Sequence, residues 1–545
     1  MTDKIKIGTL AILWVQGYLL LCKVVSSSAI IVFQNPNNAP ILWTNTGDVG
    51  VTDCKVIAGT LGGGFTYLFY AGVGSILTID RLRIEKGVNA IYSGGKVDID
   101  NSIFEQGERS VIDTYNSKQL TSIQNTVFKD ISTSNATQGA VVSVTNLYMD
   151  NCTFTNVQVQ DGYGSAIRFI ENFGKKGSFH IKNSTFENAG AGQLVSGAGG
   201  YAPGMGIASA IFGQSISSKV VIENCCFLNN KGSKYGGAIN FLNSSPEILI
   251  DGCIFEGNEV LDTGNSYGWA SLSNTDGGAI SILNSLHGVG ITEATITNST
   301  FKDNEALASG GAIHISAIGP NSGIKILISN NTFIGNKSAT PDDWKAGGAI
   351  NIDGYVATDV IHNTFYKNEK ASGGGGAIGS LLANAPFSSF DYFGENPSLN
   401  VYNIIDNKAE YSSGSEYNNI NWLNPVTATE LGNIGYDNGV EADADITIVN
   451  VFGSIEEKPT STIAGSLVKF KPVYVLSILA RGSDKIGMAD KSGEWAYVIA
   501  TYGTEKDQNG VTRANPPASG AVEVTTASAS TFTVTYDLNT IQQTL

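Results

Sequence analysis

Nine phenylalanines return along this chain in the same company. Phe104, Phe128, Phe154, Phe186, Phe227, Phe255, Phe301, Phe333 and Phe365 each follow an aliphatic residue or Met by five positions: Ile99, Ile123, Met149, Ile181, Ile222, Ile250, Ile296, Ile328 and Val360. Three positions before each stands Asn101, Asn125, Asn151, Asn183, Asn224, Gly252, Asn298, Asn330 or His362, and three after the last five stands Asn230, Asn258, Asn304, Asn336 or Asn368. Degenerate copies centred on Ile84 and Ile404 extend the array over at least 76–410. Anchor spacing varies from 20 to 46 residues while the motif keeps its length, which confines insertions to loops and marks a solenoid.

Within a copy the pattern alternates, as in Val97-Asp98-Ile99-Asp100 and Ile326-Leu327-Ile328-Ser329, with the period of a strand and not of a helix. A polar turn follows the Phe, then Gly-Gly, then a second strand. That strand carries Ile280 and Ile282, Ile313 and Ile315, or Ile350 and Ile352 on one face, with Ser281, His314 or Asn351 on the other. The expected fold is therefore all-β, a right-handed parallel β-helix in which equivalent residues stack about 4.8 Å apart. The Phe column fills its interior and Asn passes amide hydrogen bonds from rung to rung. Gly-Gly supplies positive φ where a Cβ would clash. The strand period argues against leucine-rich and helical repeats, and a four-stranded propeller blade needs about 40–45 residues, more than most of these intervals supply.

The pairing of Phe-x-x-Asn with Gly-Gly-Ala-Ile is sharpest at Phe227/Asn230 with Gly236 to Ile239, Phe255/Asn258 with Gly277 to Ile280, Phe301/Asn304 with Gly310 to Ile313, and Phe333/Asn336 with Gly347 to Ile350. In these motifs the chain resembles the polymorphic outer-membrane protein repeats, strongly over the central third and weakly over the flanks. The resemblance implies a pectin-lyase-like right-handed β-helix and an adhesin or other surface role. After residue 440 there is no series of amphipathic strands long enough for an autotransporter barrel, so a membrane-spanning barrel is not expected.

The N-terminus reads as an export signal. Lys4 and Lys6 precede an apolar stretch from Ile7 to Cys22, and small residues run to Ala29. An uncleaved anchor is the alternative, although 16 apolar residues are short for a span that wants about 20. The expected organisation is a signal peptide at 1–29, an N-terminal cap and first coils at 30–75, β-helix repeats at 76–410, a closing cap and linker at 411–442, and a small Ig-like β-sandwich at 443–545, where the strand runs lengthen. A secreted or cell-surface location follows. Gly at 64 against Pro at 13 fits a fold turned by Gly and Asn corners, and a net charge of −16 disfavours nucleic acid as a partner.

Cys152, Cys225 and Cys253 share the column two residues before the anchor, and a Cys225–Cys253 disulfide is a candidate beside simple packing. With no CxxC and no His cluster, no metal site or cofactor is expected. Of the Asn-x-Ser/Thr sequons, Asn135 and Asn243 are the better glycan candidates, since four others lie in the Asn corner column. The outward column four residues before the anchor reads Asp100, Gln124, Asp150, Lys182, Glu223, Asp251, Thr297, Ser329 and Ile361. Asp150, Glu223 and Asp251 are the candidate catalytic residues of an alternative reading, a polysaccharide lyase or glycoside hydrolase. The preferred reading is adhesion, recognition or a structural surface role. The partner would be a glycan or protein of a host or neighbouring cell, or another copy of the chain, met by loops at 187–210, 259–276 and 337–346 on a rigid rod.

Overall fold

A computed structural model describes most of residues 48–381, apart from breaks that include 58–66, 192–208, 261–275 and 340–346; it also describes most of 503–513, Ala521 and isolated strand segments elsewhere. The described coils form a parallel β-helix. Strands such as Val220–Glu223, Glu247–Asp251, Thr292–Thr297 and Ile324–Ser329 pair in parallel, rung on rung, with Ile222, Ile250, Ile296, Ile328 and Val360 in one register. A second sheet of 13 strands carries the Gly-Gly-Ala-Ile segments, including Ile239–Leu242, Ile280–Asn284, Ile313–Ala317 and Ile350–Gly354.

The nine anchor phenylalanines form one stack inside the coil. Successive ring centroids lie 4.5 to 5.2 Å apart with planes within 9° of parallel. That spacing is set by the strand separation of about 4.8 Å, so rings on adjacent rungs stack face over face. Asn230, Asn258, Asn304, Asn336 and Asn368 lie fully buried beside the stack. Each of the first four donates its amide to the Oδ1 of the next, at 2.8 or 2.9 Å. Each of the five also donates to the backbone carbonyl of an earlier anchor Phe, as Asn304 does to Phe255 at 2.9 Å. The ladder satisfies backbone and side chain together, which is what makes a buried amide tolerable.

The other Asn column has a different task. Asn101, Asn125, Asn151, Asn183, Asn224, Asn298 and Asn330 all hold φ between 46° and 55°, in the left-handed region that Asn tolerates better than most residues. Gly252 and His362 take the same conformation where the column lacks Asn. In the Gly-Gly pairs the first residue needs positive φ and the second needs an absent side chain. Gly347 has φ +78° and a Cβ there would meet the Ile350 carbonyl, while a Cβ on Gly311 would meet the Gly348 carbonyl at 2.2 Å.

The cysteine column does not form a bridge. Cys152, Cys225 and Cys253 are buried free thiols, as is Cys226. Cys225 Sγ donates to the Glu223 carbonyl at 3.2 Å and Cys253 Sγ to the Asp251 carbonyl at 3.3 Å, and Cys225 N donates to Cys253 Sγ at 3.4 Å. Ser299 in the same column donates to the Thr297 carbonyl and accepts from Cys253 N. Cysteine here substitutes for serine as a corner relay, each sulfur also facing a carbonyl of the preceding rung, Ile181 at 3.8 Å for Cys225 and Ile222 at 3.6 Å for Cys253, and the free thiols correct the Cys225–Cys253 disulfide expected as a candidate.

Strands at both ends fall within the expected leader and the expected cap. Leu10–Val15 and Tyr18–Ser26, within the expected leader, form an antiparallel hairpin, and the second strand pairs antiparallel with Asp48–Ile57. Asp48–Ile57 is itself a rung in register with Ile76–Glu85, with Asp53 at positive φ. At the far end Leu399–Ile405 pairs in parallel with Thr429–Glu430 and Ile434–Gly435, so the ladder runs past 410 into the expected cap. Farther on, Ile446–Ile448 pairs antiparallel with Ile478–Ala480, and Pro459–Ile463 with Ser466–Lys469; most of the expected sandwich lies outside the described residues.

A segment of that C-terminal region lies against the coil. Thr332 Oγ1 donates to Gln508 Oε1 at 2.6 Å and Gln508 Nε2 donates to Thr300 Oγ1 at 3.0 Å, so one carboxamide spans two rungs. Arg513 donates to Asn330 Oδ1 at 2.8 Å, Asn330 Nδ2 to the Lys506 carbonyl at 2.9 Å, and Ala521 N to Thr364 Oγ1 at 3.0 Å.

Candidate functional site

Outward positions four and six residues before each anchor bring their side chains together on the long sheet. Tyr148 pairs in register with His180 and Asp150 with Lys182; on the next rungs Lys182 pairs with Glu223 and Glu223 with Asp251. The alternation of the strand puts both columns on one face, because inward neighbours such as Ile181 and Ile222 are held in the core.

These side chains form two connected groups. Lys182 Nζ lies 3.3 Å from Asp150 Oδ2 and 5.5 Å from the centre of the Tyr148 ring, and Tyr148 OH donates to the same Asp150 oxygen at 3.3 Å. These two neighbours hold the Lys182 ammonium above its ordinary pKa. On the next rungs His180 Nε2 lies 2.9 Å from Glu223 Oε2, and the His180 ring meets the Tyr148 edge with centroids 5.7 Å apart. Burial pushes the Asp251 carboxyl up, and the neighbouring Glu223 charge adds to the rise; the Asn298 amide, donating to Asp251 Oδ1 at 2.7 Å, works the other way.

Of the three acids named from sequence, Glu223 and Asp251 are therefore brought together on adjacent rungs. Asp150 stands apart from them, beyond the Lys182 rung and tied to Lys182. The pair in unlike environments suits acid and base work, with Asp251 the better proton donor and Glu223 held by an imidazole. His180 and Tyr148 escaped the sequence reading, although the column two residues upstream of the acid column carries both.

The glycan candidates fare differently. Asn135 lies outside the described residues. Asn243 is 7 % exposed at φ 48°, and its Oδ1 accepts from Ser285 N at 2.8 Å and Ser285 Oγ at 3.1 Å. Its carboxamide is committed to the next coil, which corrects the expectation of an accessible acceptor. In comparison with known proteins, no family model, curated protein or solved structure matches the chain.

Proposed function

We propose that this chain is an exported or cell-surface β-helical rod that acts in adhesion, recognition or surface structure. The observation that carries this reading is the continuity of the Phe104 to Phe365 stack through intervals of very different length. A core that ignores loop length leaves the insertions free to vary, and a rigid scaffold with variable insertions is the arrangement recognition surfaces use. The resemblance to polymorphic outer-membrane protein repeats and the leader-like N-terminus support the surface location. The partner class is a glycan or protein of a neighbouring cell, or a second copy. The insertions expected to carry it, at 187–210, 259–276 and 337–346, lie largely outside the described residues.

A second reading, cleavage of a polysaccharide, is favoured by one observation: Asp251 with a raised carboxyl beside Glu223. Stacked strands set the two backbones about 4.8 Å apart, and retaining glycosidases use carboxyl groups about 5–5.5 Å apart. A glycan and cell-binding array, run with the intact protein and with 261–275 replaced by a short Gly-Ser linker, tests the first reading; loss of binding on replacement is expected. Product release from pectin, alginate or host glycans that Glu223→Gln abolishes would replace it with the second.

A further inference from the structure

The second sheet carries an outward row that is not wet. Asn240, Ser281, His314 and Asn351 lie in register on successive rungs. His314 is 3 % exposed and the other three are fully shielded from solvent. Asn240 Nδ2 donates to the Tyr235 carbonyl at 3.4 Å, which orients the amide and leaves its oxygen over. Asn240 Oδ1, Ser281 Oγ and Asn351 Oδ1 are buried with no hydrogen-bond partner. Buried polar atoms are almost always satisfied, so a run of orphaned oxygens calls for something that binds oxygen.

A carboxylate stands beside them. Tyr235 and Asp276 form a parallel bridge on the two rungs that carry Asn240 and Ser281. Asp276 is 2 % exposed, accepts from Ser309 Oγ at 2.7 Å, and lies 3.9 Å from His314 Nε2. The Gly-Gly turn folds the chain back on the row: a Cβ on Gly277 would sit 3.2 Å from His314 Cβ. Asn351 Nδ2 donates to Asp353 Oδ2 at 2.9 Å and lies 3.1 Å from His314 Nδ1. With the amide nitrogen placed there by the carboxylate, His314 Nδ1 accepts and the ring proton sits on Nε2, toward Asp276.

We infer that Asp276, Asn240 and Ser281 form a binding site for a hard cation of the calcium class, taken up as these coils close. The orphaned atoms are oxygens from an amide and a hydroxyl beside a carboxylate, the ligand types such ions take. An anion would be repelled by the buried Asp276 carboxylate, and the buried row excludes an extended organic ligand. The set holds a single acid, and among the described residues no group of three His, Cys, Asp or Glu marks a metal position, so ligand spacing does not reveal it. The site lies on a different sheet from Glu223 and Asp251, and neither functional reading depends on it.

The test uses the full chain, purified without chelator for metal analysis, then stripped with EDTA and melted over a CaCl2 titration. Bound calcium near one per chain and a melting temperature that climbs with the logarithm of free calcium are expected. Ser281→Ala and Asn240→Ala should each weaken that response at least tenfold in calcium concentration, while Glu223→Gln, on the acidic stripe, leaves it unchanged. Asp276→Asn should remove it, and the two milder variants keep the test decisive if that one does not fold. No calcium response, an equal response to KCl at matched ionic strength, a response that survives both milder variants, or one lost in Glu223→Gln would each overturn the inference.

Discussion

Asn304 donates its amide to Asn336 Oδ1 at 2.9 Å, and its own Oδ1 accepts both the amide and the backbone N–H of Asn258, at 2.9 and 3.0 Å. One carboxamide thus serves three coils. Asn304→Ala would leave two buried donors of Asn258, its backbone N–H and one amide hydrogen, without their partner. Each orphaned group costs about 1–3 kcal/mol, so a loss of about 3 kcal/mol or more is expected in denaturant titration. Hydrogen exchange should rise first in the coils around Phe255 and Phe301; protection unchanged there would refute the ladder's role.

Corner thiols should be chemically silent. Burial pushes the Cys152 thiol up to about 12 and Cys225 well above its ordinary value, with Cys253 adding to the rise at Cys225. Iodoacetamide is expected to leave Cys152, Cys225, Cys226 and Cys253 unmodified in the native protein and to label them in denaturant. Reductant should not move the melting temperature through this column. A non-reduced peptide map that joins Cys225 to Cys253 would contradict the corner-relay account.

The Asp251 carboxyl gives a pH signature of definite sign. Its folded value is raised, so the folded state holds the proton more tightly than the unfolded state, and ionisation costs stability. That cost is absent below the unfolded aspartate value and complete above the folded one. Asp251→Asn should therefore stabilise the protein at pH 7, with the gain fading as pH falls through the ordinary aspartate range. Glu223→Gln should shift the same window toward lower pH by removing a like charge. Melting curves between pH 3 and 7 check both, and a gain that grows toward acid would refute the assignment.

Sequence columns located the coil because its constraints are local: a strand period, a left-handed corner and a buried ring recur in every copy. Even the distinct tasks of the two Asn columns follow from position, one at φ near 50° and one buried against Phe. Contacts that cross between copies without repeating were illegible. His180 meets Glu223 from the preceding rung, and Asp276 reaches His314 from a turn, and neither pair has a periodic signal. The Cys225–Cys253 pairing was misjudged for a related reason: stacking distance was legible, whereas the direction of each sulfur depends on the carbonyl two residues back. The segment at 505–513 that lies on Thr300 and Thr332 belongs to no repeat at all.

That segment yields the fourth expectation. Gln508→Ala with Arg513→Ala removes the bonds to Thr300, Thr332 and Asn330, and Arg513 is only 7 % exposed. Limited proteolysis should cut near 503–513 at least several-fold faster in the double variant, while protection of the Phe301 and Phe333 coils stays as in the parent. Equal cutting rates would show that the docking contributes nothing to the segment's order.

The interval from Phe301 to Phe333 equals that from Phe333 to Phe365, 32 residues each, and both coils offer matching Asn and Phe partners above and below. Such a segment is a transplantable ruler mark. Splicing in a further copy lengthens the molecule by one strand spacing, about 4.8 Å, and excising one shortens it by the same step, so the reach of this protein is a quantity that duplication and deletion adjust in whole units.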